Sequence, residues 1–196
     1  MKIITNEDLI WKTDNYDVIL VGTSIYCMLT NGFQSKMRMK YPYIDKKNDT
    51  TGYGDFRKMG TRLTIEENGN PTISLMYICN YPNKNRVFLD YDALENCLRT
   101  ATAEFKGKKV ATTVLGNSLF DGNGDKDKIL RIMEDCTKGM DLDVYDYVQL
   151  DRIKEIKLQK EKITRLKDTD YEKYQKLWSM KDDMFKKMYL SENNIL

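Results

Sequence analysis

The sequence predicts an α/β domain in three layers, a central sheet between two sets of helices, followed by a C-terminal helical extension. Three observations carry that expectation. Over residues 1–150 short apolar runs alternate with segments of helical period, the order that places helices on both faces of a sheet. The run Val18-Ile19-Leu20-Val21 is apolar at every position, as in a strand covered on both faces, and is expected at the centre of the sheet. Beyond Leu150 the strand-like runs stop and a charged, helix-period stretch continues to residue 196. A chain of 196 residues suits one domain with an appendage, here residues 1–150 and 151–196.

Six segments read as strands: 2–5, 17–22, 61–66, 72–80, 109–115 and 143–148. Between them, a helix is expected over about 31–40 with Phe33 and Met37 inward, stopping before Pro42 because the residue preceding a proline disfavours helical geometry. Leu94, Leu98, Ala101 and Phe105 share one helical face, and Ile129, Ile132, Met133 and Cys136 share another behind a potential cap at Asp125. The stretch from Tyr43 to Gly60 has three glycines and few apolar residues, and reads as a long loop.

In the extension, Ile153, Ile156, Ile163 and Leu166 form a short seam of a and d positions. After Asp168, Thr169-Asp170-Tyr171-Glu172 resembles a capping box that opens a second helix, whose stripe is Tyr174, Leu177, Trp178, Phe185 and Met188. Two helices packed on the domain or on each other satisfy this pattern. So does an arm for a protein partner or for a homo-oligomer.

Composition removes several classes of function. Apolar residues are 41% and charged residues 32%, the mixture of a globular protein. No stretch is long enough to cross a bilayer, and the first residues lack the apolar centre of a signal peptide, so a cytoplasmic protein that stays off membranes is expected. There is no histidine, which excludes Ser-His, Cys-His and His-metal sites. Cys27, Cys79, Cys97 and Cys136 contain no C-x-x-C pair for zinc or dithiol exchange and are expected as reduced thiols, with no metal and no cofactor. The net charge of +2 combines −1 over residues 1–150 with +3 over the extension, too small an excess to indicate nucleic acid.

Two loops are suited to phosphate. Gly22-Thr23-Ser24 follows the apolar run and leads through Thr30-Asn31-Gly32 into a helix, where small residues admit a ligand to the backbone and the helix N-terminus supplies amides and a positive dipole. Gly116-Asn117-Ser118-Leu119-Phe120-Asp121-Gly122-Asn123-Gly124-Asp125 repeats the strand, glycine-rich loop, helix order. Either loop alone reads first as an ordinary turn rich in Gly and Asn. At the same end of adjacent parallel strands the two would form a ligand crevice.

The chain resembles the macro domains, α/β modules that bind ADP-ribose. Residues 3–24 are similar to their opening, with Glu7-Asp8-Leu9 at the turn after the first strand and Asp17-Val18-Ile19-Leu20-Val21 at the next strand. Asn31-Gly32-Phe33, continuing through Lys36, Arg38 and Lys40 to Tyr41-Pro42, resembles the first glycine-bearing loop and its helix. Val114-Leu115-Gly116-Asn117 with Gly122-Asn123-Gly124-Asp125 resembles the second loop. The likeness spans residues 1–148 and is to divergent bacterial and phage members.

The resemblance implies a mixed central sheet and a site for ADP-ribose or a related adenine nucleotide. Asp8, with Leu9 beside it, would accept a hydrogen bond from the adenine amino group. Gly22, Thr23, Ser24, Asn31 and Gly32 would line the first loop. Gly116, Asn117, Ser118, Leu119, Phe120 and Gly122 would line the second, with loop amides on the diphosphate and Phe120 near the distal ribose. Asp8 serves equally well as a helical cap, and Phe120 as a residue tucked into the core. Gly22-Thr23-Ser24 stands where macro domains carry paired asparagines that engage the distal ribose and assist hydrolysis in active members. If active, the chain would be an ADP-ribose hydrolase or phosphatase, with Asp121 or Asp125 as a base unless these are loop and cap residues. The function implied is reading or sequestering the nucleotide. From another class comes a structural or assembly protein that kept the fold, lost the pocket and docks through the extension.

Overall fold

The computed structural model describes residues 1–5, 7–29, 32–80, 87–118, 122–146, 169–172 and 175. The chain divides into two compact units, Met1–Tyr147 and Val148–Leu196. The seam and the second stripe expected in the extension lie outside the described residues.

The first unit is built on six strands: β1 Lys2–Thr5, β2 Val18–Ser24, β3 Arg62–Ile65, β4 Thr72–Cys79, β5 Lys109–Thr113 and β6 Asp141–Asp146. Their order in the sheet is β1-β6-β5-β2-β4-β3. All neighbours are parallel except β3, which closes the far edge antiparallel to β4 through a short turn. The sheet is therefore mixed. β2 lies between β5 and β4 and is buried over its whole length, as its unbroken apolar run predicts.

Successive residues of β2 point to opposite faces and divide the core in two. Val18 and Leu20 pack with Leu94, Leu98 and Ala101 of α3 (Tyr91–Glu104) and with Ile129 and Met133 of α4 (Lys126–Cys136). Ile19 and Val21 pack on the other face with Leu9, with Met37 of α1 (Gly32–Lys40) and with Ile44 of α2 (Tyr43–Asp49). Three layers result. Burying each of these aliphatic side chains contributes about 1.5 to 3 kcal/mol, so the strand is a main source of stability. Asp90 caps α3 by accepting from the Ala93 amide, and Asp125 caps α4 by accepting from Lys128 at 2.7 Å.

The expected long loop over 43–60 is corrected. Its first half is the helix α2 and its second contains a 3₁₀ turn, Phe56–Lys58. The buried face of α2 is Ile44 and Asn48, one apolar and one polar residue four positions apart. Apolar periodicity cannot report such a face, because half of it is buried by hydrogen bonding.

Candidate functional site

β2 and β5 are adjacent and parallel, so the segments that follow them leave the sheet side by side at its carboxyl end. The Asp8 turn follows β1 at the same end.

Two lysines of α1 fasten that turn. Lys36 forms an ion pair with Asp8. Lys40 Nζ donates to Asp14 at 2.9 Å and to Thr13 Oγ1 at 2.7 Å, and the Tyr41 hydroxyl donates to Asp14 at 2.9 Å. Hydrogen bonds from Lys40 and Tyr41 hold the Asp14 carboxyl below the usual carboxylate range. Asp8 also caps the 3₁₀ turn Leu9–Trp11, accepting from the Ile10 amide at 3.3 Å, so the cap role is realised. Its side chain remains partly accessible beside Lys36. Leu9 is buried beneath it. Lys36 carries no sequence signal for this pairing, since its partner lies 28 positions away.

The first loop begins later than its glycine suggested. Gly22, Thr23 and Ser24 belong to β2, still paired with β4 across an irregularity between Thr23 and Ser24, and all three are buried. The reason is packing. Gln34 in the first turn of α1 donates to the Gly22 carbonyl at 2.6 Å, and a Cβ on Gly22 would lie 2.9 Å from Ile78 Cδ1. Thr23 Oγ1 donates to the Met28 carbonyl at 3.3 Å. Ser24 Oγ is buried with no hydrogen-bond partner among the described residues. Gly32 opens α1 at φ +54° with nothing within 4 Å of where a Cβ would stand, a left-handed conformation in open space. Asn31, Leu119, Phe120 and Asp121 lie outside the described residues.

The second loop folds on itself. Gly124 N donates to Gly116 O, and Asn123 N to Ser118 O, each at 2.9 Å. The Gly122 carbonyl accepts from the amides of Phe88 and Leu89. Leu89 occupies the space above the glycines: a Cβ on Gly116 or Gly124 would stand 2.6 Å from one of its methyl carbons. The glycines thus admit Leu89, whatever else they admit. Asn117 and Ser118 remain on the rim of this loop. Asp125 is placed at the α4 cap and not in a cleft.

Two further concavities flank the sheet. One of about 690 Å³ includes Phe56, Met59, Asn80, Leu89, Tyr91 and Lys128 at the carboxyl end of β4. The other, of about 500 Å³, lies at the opposite end among Asp14, Tyr16, Asp17, Glu66, Glu104 and Lys108. Among the described residues no cluster of acidic or cysteine side chains is arranged to hold a metal, and no helix is long and apolar enough to cross a membrane.

No protein-family model matches the chain, and no curated protein matches it in sequence. Solved structures do. The macrodomain of Mycobacterium tuberculosis DarG superposes with a TM-score of 0.57 over 73% of this chain and 96% of that one, at 12% identity. The chain has the macrodomain fold. A Bacteroides thetaiotaomicron protein of unknown function matches this chain with a TM-score of 0.61 at 15% identity, covering 76% of this chain and 99% of that one. The Trypanosoma brucei macrodomain, solved in complex with ADP-ribose, matches at 0.56 and 13% identity over 78% of this chain and 66% of that one. At such identities the likeness is one of fold, and the function of this chain has to be argued from its own site.

Proposed function

We propose that this macrodomain binds ADP-ribose or a related adenine nucleotide at the carboxyl end of β2 and β5, as a reader of the modification or by sequestering the free nucleotide. The observation that supports the reading is the adjacency of those two parallel strands, from whose carboxyl ends the two glycine-bearing segments depart side by side. Asp8 and Leu9 form the adenine end. On this reading backbone amides around Gly32 and from Ser118 to Gly122 would hold the diphosphate, and Phe120 would lie near the distal ribose. Neighbours of the same fold hold ADP-ribose, which adds support.

Binding without turnover is the favoured form. Gly22, Thr23 and Ser24 are buried where active members present asparagines, and Asp125 is engaged as a helix cap. Calorimetric titration of the full chain with ADP-ribose, NAD, cyclic ADP-ribose and AMP tests this. Saturable binding of ADP-ribose is expected, with Asp8→Ala weakening it by about 1 to 3 kcal/mol, as for a lost hydrogen bond to a charged group. The melting temperature of the variant separates a lost ligand contact from a lost cap. Absence of heat at millimolar ligand would defeat the reading.

A further inference from the structure

Beyond the nucleotide site, the first loop holds a cysteine against a buried lysine. Lys58 Nζ lies 3.1 Å from Cys27 Sγ. Lys58 is only 7% exposed, and among the described residues it pairs with no carboxylate. Its other neighbours are Thr51 Oγ1 at 3.1 Å and the face of Tyr77, whose ring centre is 4.6 Å away. Burying an ammonium without an anionic partner is unfavourable, so this lysine is held in place by packing, a cation–π contact and two hydrogen bonds. Cys27 is fixed from the other side. Its carbonyl accepts from Asn48 Nδ2 at 3.1 Å, and its backbone adopts φ +56°, a left-handed conformation rare for a residue with a side chain. Two nucleophiles, a thiol and an amine, are thus kept in contact by elements 31 positions apart.

Cys27 is also the cysteine an oxidant can reach. It is half-buried, whereas Cys79, Cys97 and Cys136 are buried, and burial pushes the Cys97 thiol up to about 12. Oxidation by peroxide requires an accessible thiolate, which favours Cys27 over the other three.

We propose that Cys27 and Lys58 form a redox-made crosslink, a direct sulfur–nitrogen bond generated by hydrogen peroxide. In the first step the Cys27 thiolate attacks one peroxide oxygen. The S–O bond forms, the O–O bond breaks, and the leaving hydroxide takes a proton to become water. Sulfur is oxidised to sulfenic acid and peroxide is reduced. The proton that the leaving hydroxide takes comes from the Lys58 ammonium, and in the second step the amine so formed attacks that sulfur: the N–S bond forms, the S–O bond breaks, and the hydroxyl leaves as water with a further proton from nitrogen. One thiol, one amine and one peroxide thus give the sulfenamide and two waters. A reducing thiol reverses the bond by attack on sulfur. The bridge joins the segment after β2 to the turn before β3.

The test is intact-mass spectrometry of the full chain treated with one equivalent of peroxide. A product lighter by two hydrogens is expected, restored by dithiothreitol. After denaturation and alkylation without reductant, Cys79, Cys97 and Cys136 should all be labelled, and tandem spectra should join the peptides bearing Cys27 and Lys58. Lys58→Met should lose the crosslink and accumulate a sulfenic acid trapped by dimedone. Lys58→Arg keeps a cation in the same place for the case in which the methionine variant does not fold, and should behave alike. A wild-type chain that labels with dimedone at Cys27 without forming the lighter species would overturn the proposal. So would a lighter species that persists in Lys58→Arg, which would be a disulfide. A product retaining one oxygen between the two residues would overturn the direct bond. None of these readouts involves a nucleotide, so their outcome is independent of the binding site.

Discussion

The Tyr77 hydroxyl donates a 2.8 Å hydrogen bond to Asn48 Oδ1 in the interior, between the end of β4 and the helix α2. The same amide donates through Nδ2 to the Cys27 carbonyl. One side chain therefore ties a helix, a strand and the first loop. Replacing it with leucine keeps the volume but leaves the Cys27 carbonyl without its side-chain donor and the Tyr77 hydroxyl with Thr51 Oγ1 alone, at 3.1 Å. Asn48→Leu should lower stability by about 1 to 3 kcal/mol, for the Cys27 carbonyl left unsatisfied, read as a fall in the urea midpoint. Tyr77→Phe should cost less, because it removes only the donor to Asn48 Oδ1 and keeps the bond from Asn48 to the Cys27 carbonyl, and the double variant should be less than additive.

The glycines should differ in sensitivity by what a Cβ would meet. On Gly122 it would stand 2.6 Å from the Gly116 carbonyl oxygen, at φ +119°. Backbone cannot move aside without opening the loop, so Gly122→Ala should destabilise by about 2 kcal/mol or more. On Gly22 the close atom is Ile78 Cδ1, the tip of a side chain that can rotate. Gly22→Ala should cost about 1 kcal/mol. Equal thermal shifts in the two would contradict this ranking.

Stability should fall at alkaline pH. Burial pushes the Tyr77 and Tyr43 phenols from the ordinary 10.0 up to about 12, and burial with hydrogen bonds to Tyr145 and Asp143 pushes Tyr16 up as well. A group whose folded value is raised holds its proton more tightly in the folded state. Its contribution is complete below the unfolded value and is lost as pH rises towards the folded one. The window is therefore from 10.0 to about 12. Denaturant midpoints should be flat with respect to these groups below it and drop within it, together with phenolate absorbance. A midpoint that holds through the window would refute the assignment.

Residues 151–196 carry 12 basic and 9 acidic side chains, together with the apolar residues that the sequence is expected to gather into two stripes, so apolar contact and not charge is expected to govern their docking. A chain truncated after Leu150 should fold and bind nucleotide as the full chain does, while losing self-association or partner binding. Circular dichroism, light scattering and calorimetry on the two chains check this. Outright unfolding of the truncated chain would show that the extension completes the core, and an unchanged oligomeric state would remove the homo-oligomer.

The amino-acid sequence by itself determined what depends on neighbours along the chain. The unbroken apolar run of β2, the inward faces of α3 and α4 and the Asp125 cap are local patterns set by strand and helix periods, and each stands where those patterns placed it. Tertiary structure alone decided the relationships between distant residues. It made α2 a helix, because Asn48 is buried by partners 21 and 29 positions away. It drew Thr23 and Ser24 into β2, because β4 continues alongside them. It set β2 beside β5, paired Asp8 with Lys36 and gave the glycines of the second loop to Leu89. A polar residue's burial depends on whether a distant partner satisfies it, and a glycine's necessity on what packs over it; both are settled only when chain segments far apart in sequence close on one another.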